Sequence, residues 1–165
     1  DTLFSGSTYL PEARNFIHEK FVKDSKCEYL MMLDSDVIPP PNVEHVLMRH
    51  MEANREVRIV GGWYRKKDEP YPPVVCHWRK LDENHIEQWE QYTEEEIGEG
   101  LGQVDGAGAG CWLMHRSVAE AIGPKPYNMN QGGEDLHLCR KVTAAGFKLW
   151  IDWDIRCAHA GVAVA

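Results

Sequence analysis

The sequence predicts an α/β domain with a mostly parallel central sheet flanked by helices, and a β-hairpin that extends from it. Short apolar runs alternate along the chain with amphipathic segments of helical period. The 165 residues are 43% hydrophobic and 27% charged, which is typical of one globular domain. We therefore interpret residues 1–165 as a single domain, in which 63–102 forms an excursion.

The first half of the chain alternates helix and strand. A helix is predicted over 11–23, where proline suits the first turn. Four apolar residues are expected on its inner face: Ala13, Phe16, Ile17 and Phe21. A buried strand over 29–33 follows, then a second helix that Asn42 caps, and then a strand over 57–60.

The second half begins with the excursion. Residues 63–102 are polar, aromatic and proline-rich, and we expect a hairpin formed by 74–78 and 86–92 within a mobile acceptor-side flap that orders over the bound donor. A strand, a short helix, a longer helix and a strand are then predicted, in this order: 111–115, 118–122, 134–145 and 148–151. Gly146 is expected to end the longer helix.

The first buried strand ends in two carboxylates, Asp34 and Asp36. In an extended segment, residues i and i+2 lie on the same side. Because like charges repel, both stay ionised only if a cation lies between them, and Mg²⁺ or Mn²⁺ with substrate phosphates suits that role. The alternative is a turn in which one aspartate caps the backbone. The motif alone does not choose between the two.

Three further segments contain residues that suit a site. Gly132 and Gly133 precede Glu134 and Asp135 at a predicted helix start, where first-turn carboxylates also simply stabilise the helix dipole. The glycine- and alanine-rich stretch 105–110 makes room for a ligand or for close packing. His159, near the C-terminal end of the sequence, suits either of two roles, a metal ligand or a core or surface histidine without a ligand.

The composition limits the kinds of binding partner and the cellular compartment that we expect. The net charge of −8 argues against binding to a nucleic-acid backbone. Five scattered cysteines, without a C-x-x-C pair, indicate free thiols in a reducing compartment, so a cytoplasmic location is expected. No apolar run is long enough to predict a transmembrane segment.

In their order, these motifs resemble the GT-A glycosyltransferases, in particular inverting, family-2-like members. The resemblance runs from Ala13 to His159 and is most specific at Gly133-Glu134-Asp135-Leu136 and at Ala145-Gly146-Phe147. Such enzymes usually begin with a βαβ unit that binds the nucleoside, and this sequence starts near the end of that unit. The resemblance therefore implies a Rossmann-like sandwich without its usual nucleoside-binding unit.

The resemblance also implies a donor site. Asp34 and Asp36 would hold Mn²⁺ or Mg²⁺ and the diphosphate of a UDP- or GDP-sugar, and His159 would complete the metal site. Arg14 would contact the nucleotide. Asp105 and Gly106 would line the pocket of the donor sugar.

On the acceptor side, the resemblance implies that Asp135 is the general base and that Glu134 supports it or binds the acceptor. Three aromatic residues are candidates for stacking on sugars: Trp63, Tyr64 and Trp112. The acceptor would be a carbohydrate, a lipid-linked sugar or a protein. A nucleotidyltransferase and a non-catalytic carbohydrate- or metal-binding module remain as alternatives, and the D-x-D motif also suits a retaining enzyme.

Overall fold

The computed structural model describes residues 9–80, 87–129 and 132–160. A five-stranded sheet forms its centre, with the strand order β1-β8-β3-β9-β6. The strands of this sheet, in chain order, are β1 (Tyr29–Leu33), β3 (Val57–Trp63), β6 (Leu101–Val104), β8 (Cys111–His115) and β9 (Lys148–Arg156). Two smaller sheets consist of β2 (Val37–Ile38) with β10 (Ala158–His159), and of β4 (Val75–Lys80) with β5 (Glu87–Gln91) and β7 (Gly106–Ala107).

The α/β class and the helix-flanked central sheet are as predicted, but the sheet is mixed rather than mostly parallel. β3 and β9 pair in parallel, whereas β8 pairs antiparallel with both β1 and β3, and β6 pairs antiparallel with β9. The physical reason is that β8 inserts between β1 and β3 and runs against both. A local apolar pattern specifies a strand but not its direction.

Helices cover both faces of the central sheet. They are α1 (Leu10–Asp24), α2 (Val43–Ala53), α3 (Arg116–Ala121) and α4 (Glu134–Ala144). α2 packs on one face through Val43, Leu47 and Met51, as its period predicts. α1, α3 and α4 contribute to the core on the opposite face. Side chains of β8 alternate between the two cores, so this strand is buried on both sides.

The buried face of α1 differs in part from the prediction. Its buried residues are Pro11, Arg14, His18 and Phe21, whereas Phe16 is exposed. Two polar side chains lie inward because each finds a polar partner there. His18 Nε2 donates to the carbonyl oxygen of Gly123 at 3.1 Å, and Arg14 contacts carboxylates described below. Phe21 is buried and Ile17 packs against the core as predicted, so apolar periodicity found part of the inner face but missed its two polar residues.

The excursion contains the predicted hairpin. β4 and β5 pair antiparallel, with Trp78 opposite Trp89, and β7 adds a third strand through Val75 and Cys76. The expected start of the second arm at Ile86 lies outside the described residues. A short 3₁₀ helix, Glu94–Glu96, follows the hairpin. At the end of α4, Gly146 has the positive φ of 86° that its predicted role requires.

Candidate active site

Arg14 forms the centre of the first charged cluster. Its Nη2 donates to both carboxylate oxygens of Asp34, at 3.0 and 2.8 Å, and its side chain is only 3% exposed. Burial lowers the pKa of Arg14, but the charge and the hydrogen bond of Asp34 together raise that pKa above its usual value. The guanidinium therefore stays charged inside the protein and holds the carboxylate that follows β1.

The same guanidinium reaches the start of α4. Arg14 Nη1 donates to Glu134 Oε1 at 3.0 Å and also contacts the carboxylate of Asp135. Gly133, with a φ of 113°, turns the chain immediately before this helix. Three predicted site residues from two distant segments, Asp34, Glu134 and Asp135, thus share one buried arginine.

Asp36 belongs to a second, more exposed cluster. Lys67 Nζ lies 2.7 Å from Asp36 Oδ2, and His159 Nε2 lies 3.5 Å from the same oxygen. The hydrogen bond from Lys67 lowers the pKa of Asp36, against a smaller opposing effect of burial. His159 arrives here because β10 pairs with β2, which places it opposite Val37.

The expectation that the two aspartates share one side of an extended strand is wrong. Asp34 and Asp36 do not continue the strand: the N–H of Val37 donates to the Asp34 carbonyl oxygen at 3.1 Å and closes a turn. The alternation of side chains along a strand therefore does not apply to them. Asp34 lies against Arg14, whereas Asp36 lies against Lys67 and His159.

The second cluster suits a divalent cation in two respects. His159 Nδ1 lies 2.8 Å from the carbonyl oxygen of Arg65 and must donate to it, so in the neutral ring Nε2 carries the lone pair toward Asp36. A carboxylate oxygen and an imidazole nitrogen therefore face each other. Within 9–80, 87–129 and 132–160, no group of three such side chains is close enough to form a complete metal site. Substrate phosphates would supply the remaining ligands.

The third predicted metal ligand, Asp34, has both oxygens on Arg14 in this structure. Its role at a metal stays a prediction, as does the role of Arg14 as a nucleotide contact. In this structure, Arg14 is buried and forms ion pairs with three carboxylates.

The glycine-rich stretch is used for packing in this structure. A Cβ on Gly106 would lie 2.7 Å from a ring carbon of Trp89 and 3.0 Å from Leu136, so a side chain does not fit there. The exposed Asp105 accepts a hydrogen bond from the backbone N–H of Trp78 at 2.9 Å. Their contacts with a donor sugar stay a prediction, next to this structural role.

Three aromatic residues proposed for sugar stacking are core residues instead. Trp63, Tyr64 and Trp112 are all buried. The indole N–H of Trp63 donates to the carbonyl oxygen of Trp153, and the Tyr64 hydroxyl accepts from the N–H of Gly110. Burial leaves no ring face for a ligand, because each side chain completes the packing around the sheet.

Sequence reasoning missed two residues of this region, Lys67 and Tyr127. The basic pair Lys66-Lys67 after β3 was a visible indication of the first. Tyr127 is buried beside Arg14, whose Cζ lies 5.8 Å from its ring centroid. Asn15 holds it there through two hydrogen bonds to its backbone, at 2.8 and 3.0 Å. No local pattern predicts that contact.

Comparison with known families identifies the chain. The model of glycosyl transferase family 2 matches residues 12–123, which include most of α1, both aspartates and the glycine-rich stretch. The chain belongs to glycosyl transferase family 2. It is a glycosyltransferase domain, and the GT-A-like fold expected from the resemblance is confirmed.

Two solved structures resemble this family 2 domain at low identity. A197 from STIV has a TM-score of 0.66 and 16% identity, over 96% of this chain and 71% of that one. GalNAc-T7, solved with UDP, GalNAc and Mn²⁺, has a TM-score of 0.60 and 16% identity, over 93% of this chain and 31% of that one. A search of curated proteins finds no match. In the described residues, no helix has the length and hydrophobicity needed to span a membrane.

Proposed function

We propose that this family 2 domain transfers a sugar from a UDP- or GDP-sugar to an acceptor hydroxyl with inversion, using Mn²⁺ or Mg²⁺. The acceptor is a carbohydrate, a lipid-linked sugar or a protein. Residues 1–165 form one catalytic domain, and 63–102 forms its acceptor-side flap. The observation that carries the proposal is the contact of one buried arginine with Asp34 and with the carboxylates of α4. It brings a candidate base next to the aspartate motif.

The acceptor side rests on Asp135. Its carboxylate accepts the proton of the acceptor hydroxyl while the hydroxyl oxygen attacks the anomeric carbon. The bond from that carbon to the diphosphate oxygen breaks in the same displacement, and its electron pair leaves with the nucleoside diphosphate. Because no enzyme nucleophile is involved, one displacement inverts the anomeric centre. Glu134, on the same nitrogen of Arg14, supports the base or binds the acceptor.

The donor side rests on Asp36, His159 and Lys67. Asp36 and His159 would hold the divalent cation, and Asp34 is a third candidate ligand. When bound, the cation neutralises charge on the leaving diphosphate as a Lewis acid. The similarity to GalNAc-T7, whose structure contains UDP and Mn²⁺, supports this choice of donor and metal. Lys67 adds a positive charge at the same place.

Two substitutions separate the donor site from the base. A panel of UDP- and GDP-sugars, scored by thermal shift with and without Mn²⁺, identifies the donor. Asp36→Asn should then lose the Mn²⁺-dependent stabilisation. Asp135→Asn should keep it and lose transfer by about two to four orders of magnitude, the usual contribution of general-base catalysis.

Glu134→Gln is the matched control for the base, because it removes a neighbouring carboxylate from the same arginine nitrogen. We expect a smaller loss of transfer, mainly in acceptor affinity. A Glu134→Gln protein without activity beside an active Asp135→Asn protein would reverse the two roles. Mn²⁺-dependent nucleotide binding that survives Asp34→Ala/Asp36→Ala would contradict the metal assignment. Donor binding without turnover in the unmodified protein would indicate a binding module.

A further inference from the structure

Arg14 connects the donor-side aspartate motif with the carboxylates proposed for the acceptor side, which lie about 100 residues apart in the sequence. Asp34 lies at the end of β1, and Glu134 and Asp135 lie at the start of α4. One guanidinium donates to all three, through Nη2 to Asp34 and through Nη1 to the other two. The link is therefore between the donor-side motif and the base.

The charges of these groups determine whether the two segments stay together. Three carboxylates surround one guanidinium, so their mutual repulsion is only partly balanced. Removing the positive charge would leave partly buried carboxylates without a counter-ion, and the two segments would separate or their charges would be neutralised. The position of Asp135 relative to Asp34 thus depends on Arg14.

The surroundings of Arg14 hold it in place for that task. Its side chain is buried, and the ring of Tyr127 lies beside the guanidinium. Asn15 is the next residue of α1, and its side-chain amide donates to the Tyr127 carbonyl oxygen and accepts from the Tyr127 N–H. α1 therefore positions both the guanidinium of Arg14 and the ring of Tyr127.

We propose that Arg14 is a positioning residue that fixes the general base Asp135 against the donor-side Asp34. This inference rests on the proposed function for the identity of the base. The linkage itself rests only on the contacts of the buried guanidinium. A lysine keeps the charge but has one compact ammonium group, so it does not replace a planar fork that contacts three carboxylates.

The test compares Arg14→Lys and Arg14→Gln with a control in α3, Arg116, which contacts the other end of α1. Arg116 donates to the carbonyl oxygens of Phe21, Val22, Ser25 and Cys27, so it holds the end of α1 without contacting the three carboxylates. Arg116→Gln should lower Tm while kcat stays within about threefold of the unmodified protein. It shows what loosening of α1 alone does.

For Arg14→Lys, we expect kcat to fall by about 10- to 100-fold, since an ångström of misplacement at a reacting group has an effect of that order. Because the guanidinium is engaged by three carboxylates, the donor KM should change by less than about threefold. A donor KM that rises as much as kcat falls would assign Arg14 to nucleotide binding instead and overturn the proposal. Arg14→Gln should lose more of kcat. If kcat in the Arg14 and Arg116 variants simply followed Tm, Arg14 would be an ordinary structural residue and the proposal would be wrong.

Amide hydrogen exchange gives a readout that does not need activity. The N–H of His137 donates to the Gly133 carbonyl oxygen at 3.0 Å in the first turn of α4. In Arg14→Gln, peptides over 134–142 should exchange at least about tenfold faster, whereas peptides of β9 should be unchanged. If Arg14→Gln fails to fold, Arg14→Lys serves for the same comparison.

The two proposals fail differently. An unmodified protein that transfers no sugar from any donor would refute the proposed function, and the exchange of α4 would then decide the role of Arg14 alone. Unchanged protection of α4 in the Arg14 variants would overturn the linkage, even in an active enzyme.

Discussion

Replacing Lys67 by methionine should strengthen the binding of Mn²⁺, because Lys67 competes with a cation for Asp36. Lys67 Nζ lies 2.7 Å from Asp36 Oδ2, the oxygen that also lies 3.5 Å from His159 Nε2. A divalent ion at Asp36 must displace this ammonium group or share the carboxylate with it. Methionine keeps most of the length of the side chain and removes the charge.

The size of the effect follows from the exposure of the pair. The two side chains are 44% and 42% exposed, so their interaction is close to that of charges in water, about 1 kcal/mol at 4 Å. Exposed pairs typically contribute somewhat less, because side-chain ordering and salt oppose them. Since 1.4 kcal/mol corresponds to a factor of ten, we expect Mn²⁺ to bind about two- to fivefold more tightly to Lys67→Met.

The assay is a titration of Mn²⁺ alone, followed by the electron paramagnetic resonance of the free ion. Lys66→Met is the matched control, since it removes the same charge from the neighbouring residue without removing the hydrogen bond to Asp36. The difference between the variants should shrink at high salt. Equal or weaker binding by Lys67→Met, compared with Lys66→Met, would refute the assignment of the metal to Asp36.

Two further predictions concern stability and the excursion. Burial lowers the pKa of His18 from 6.5, so below pH 6.5 the unfolded chain takes up a proton that the folded chain does not. The free energy of unfolding should therefore fall as pH decreases toward the lower folded pKa, by up to about 1.4 kcal/mol per pH unit, and urea unfolding of His18→Gln should show a smaller fall. An unchanged pH dependence in His18→Gln would argue against a neutral buried ring. In 63–102, amides at the buried Trp63, Tyr64, Val75 and Cys76 should exchange slowly, whereas those of β5 should exchange fast until donor and Mn²⁺ are added. Uniform strong protection without ligand would instead indicate a fixed hairpin.

The sequence was most informative where local patterns decide the structure. β1 was predicted because a short apolar run ends in charge, and the end of α4 because Gly146 supplies a positive φ. The hairpin was predicted from the polar, aromatic and proline-rich composition of 63–102, and the structure pairs its two arms with Trp78 opposite Trp89. Each of these elements depends on residues within a few positions of one another.

Long-range contacts decided the rest. The antiparallel insertion of β8 between β1 and β3 pairs Leu30 and Ile59 with the same residue, Met114, and no local pattern specifies that register. The inward face of α1 depends on Asp34, Glu134 and Asp135, because without these carboxylates a buried Arg14 would be strongly unfavourable. Sequence reasoning identified the three carboxylates and Arg14 individually, but not the ion pairs that join them.

The two aspartates of the motif therefore have different tasks, although they are two residues apart. The residue before β8 holds Asp34 from one side, since the Gly110 carbonyl oxygen accepts the N–H of Asp34 at 3.0 Å, and Arg14 holds its carboxylate from the other. Asp36 lies after the bend of the turn, where the Asp36 carbonyl oxygen accepts the N–H of Ala160 at 2.7 Å and brings His159 alongside. The Asp34 side chain, which is paired with the buried arginine, is 27% exposed, whereas the Asp36 side chain, which must exchange Lys67 for a ligand, is 42% exposed. The turn provides both environments, because it directs one carboxylate toward the buried arginine and the other toward the exposed lysine.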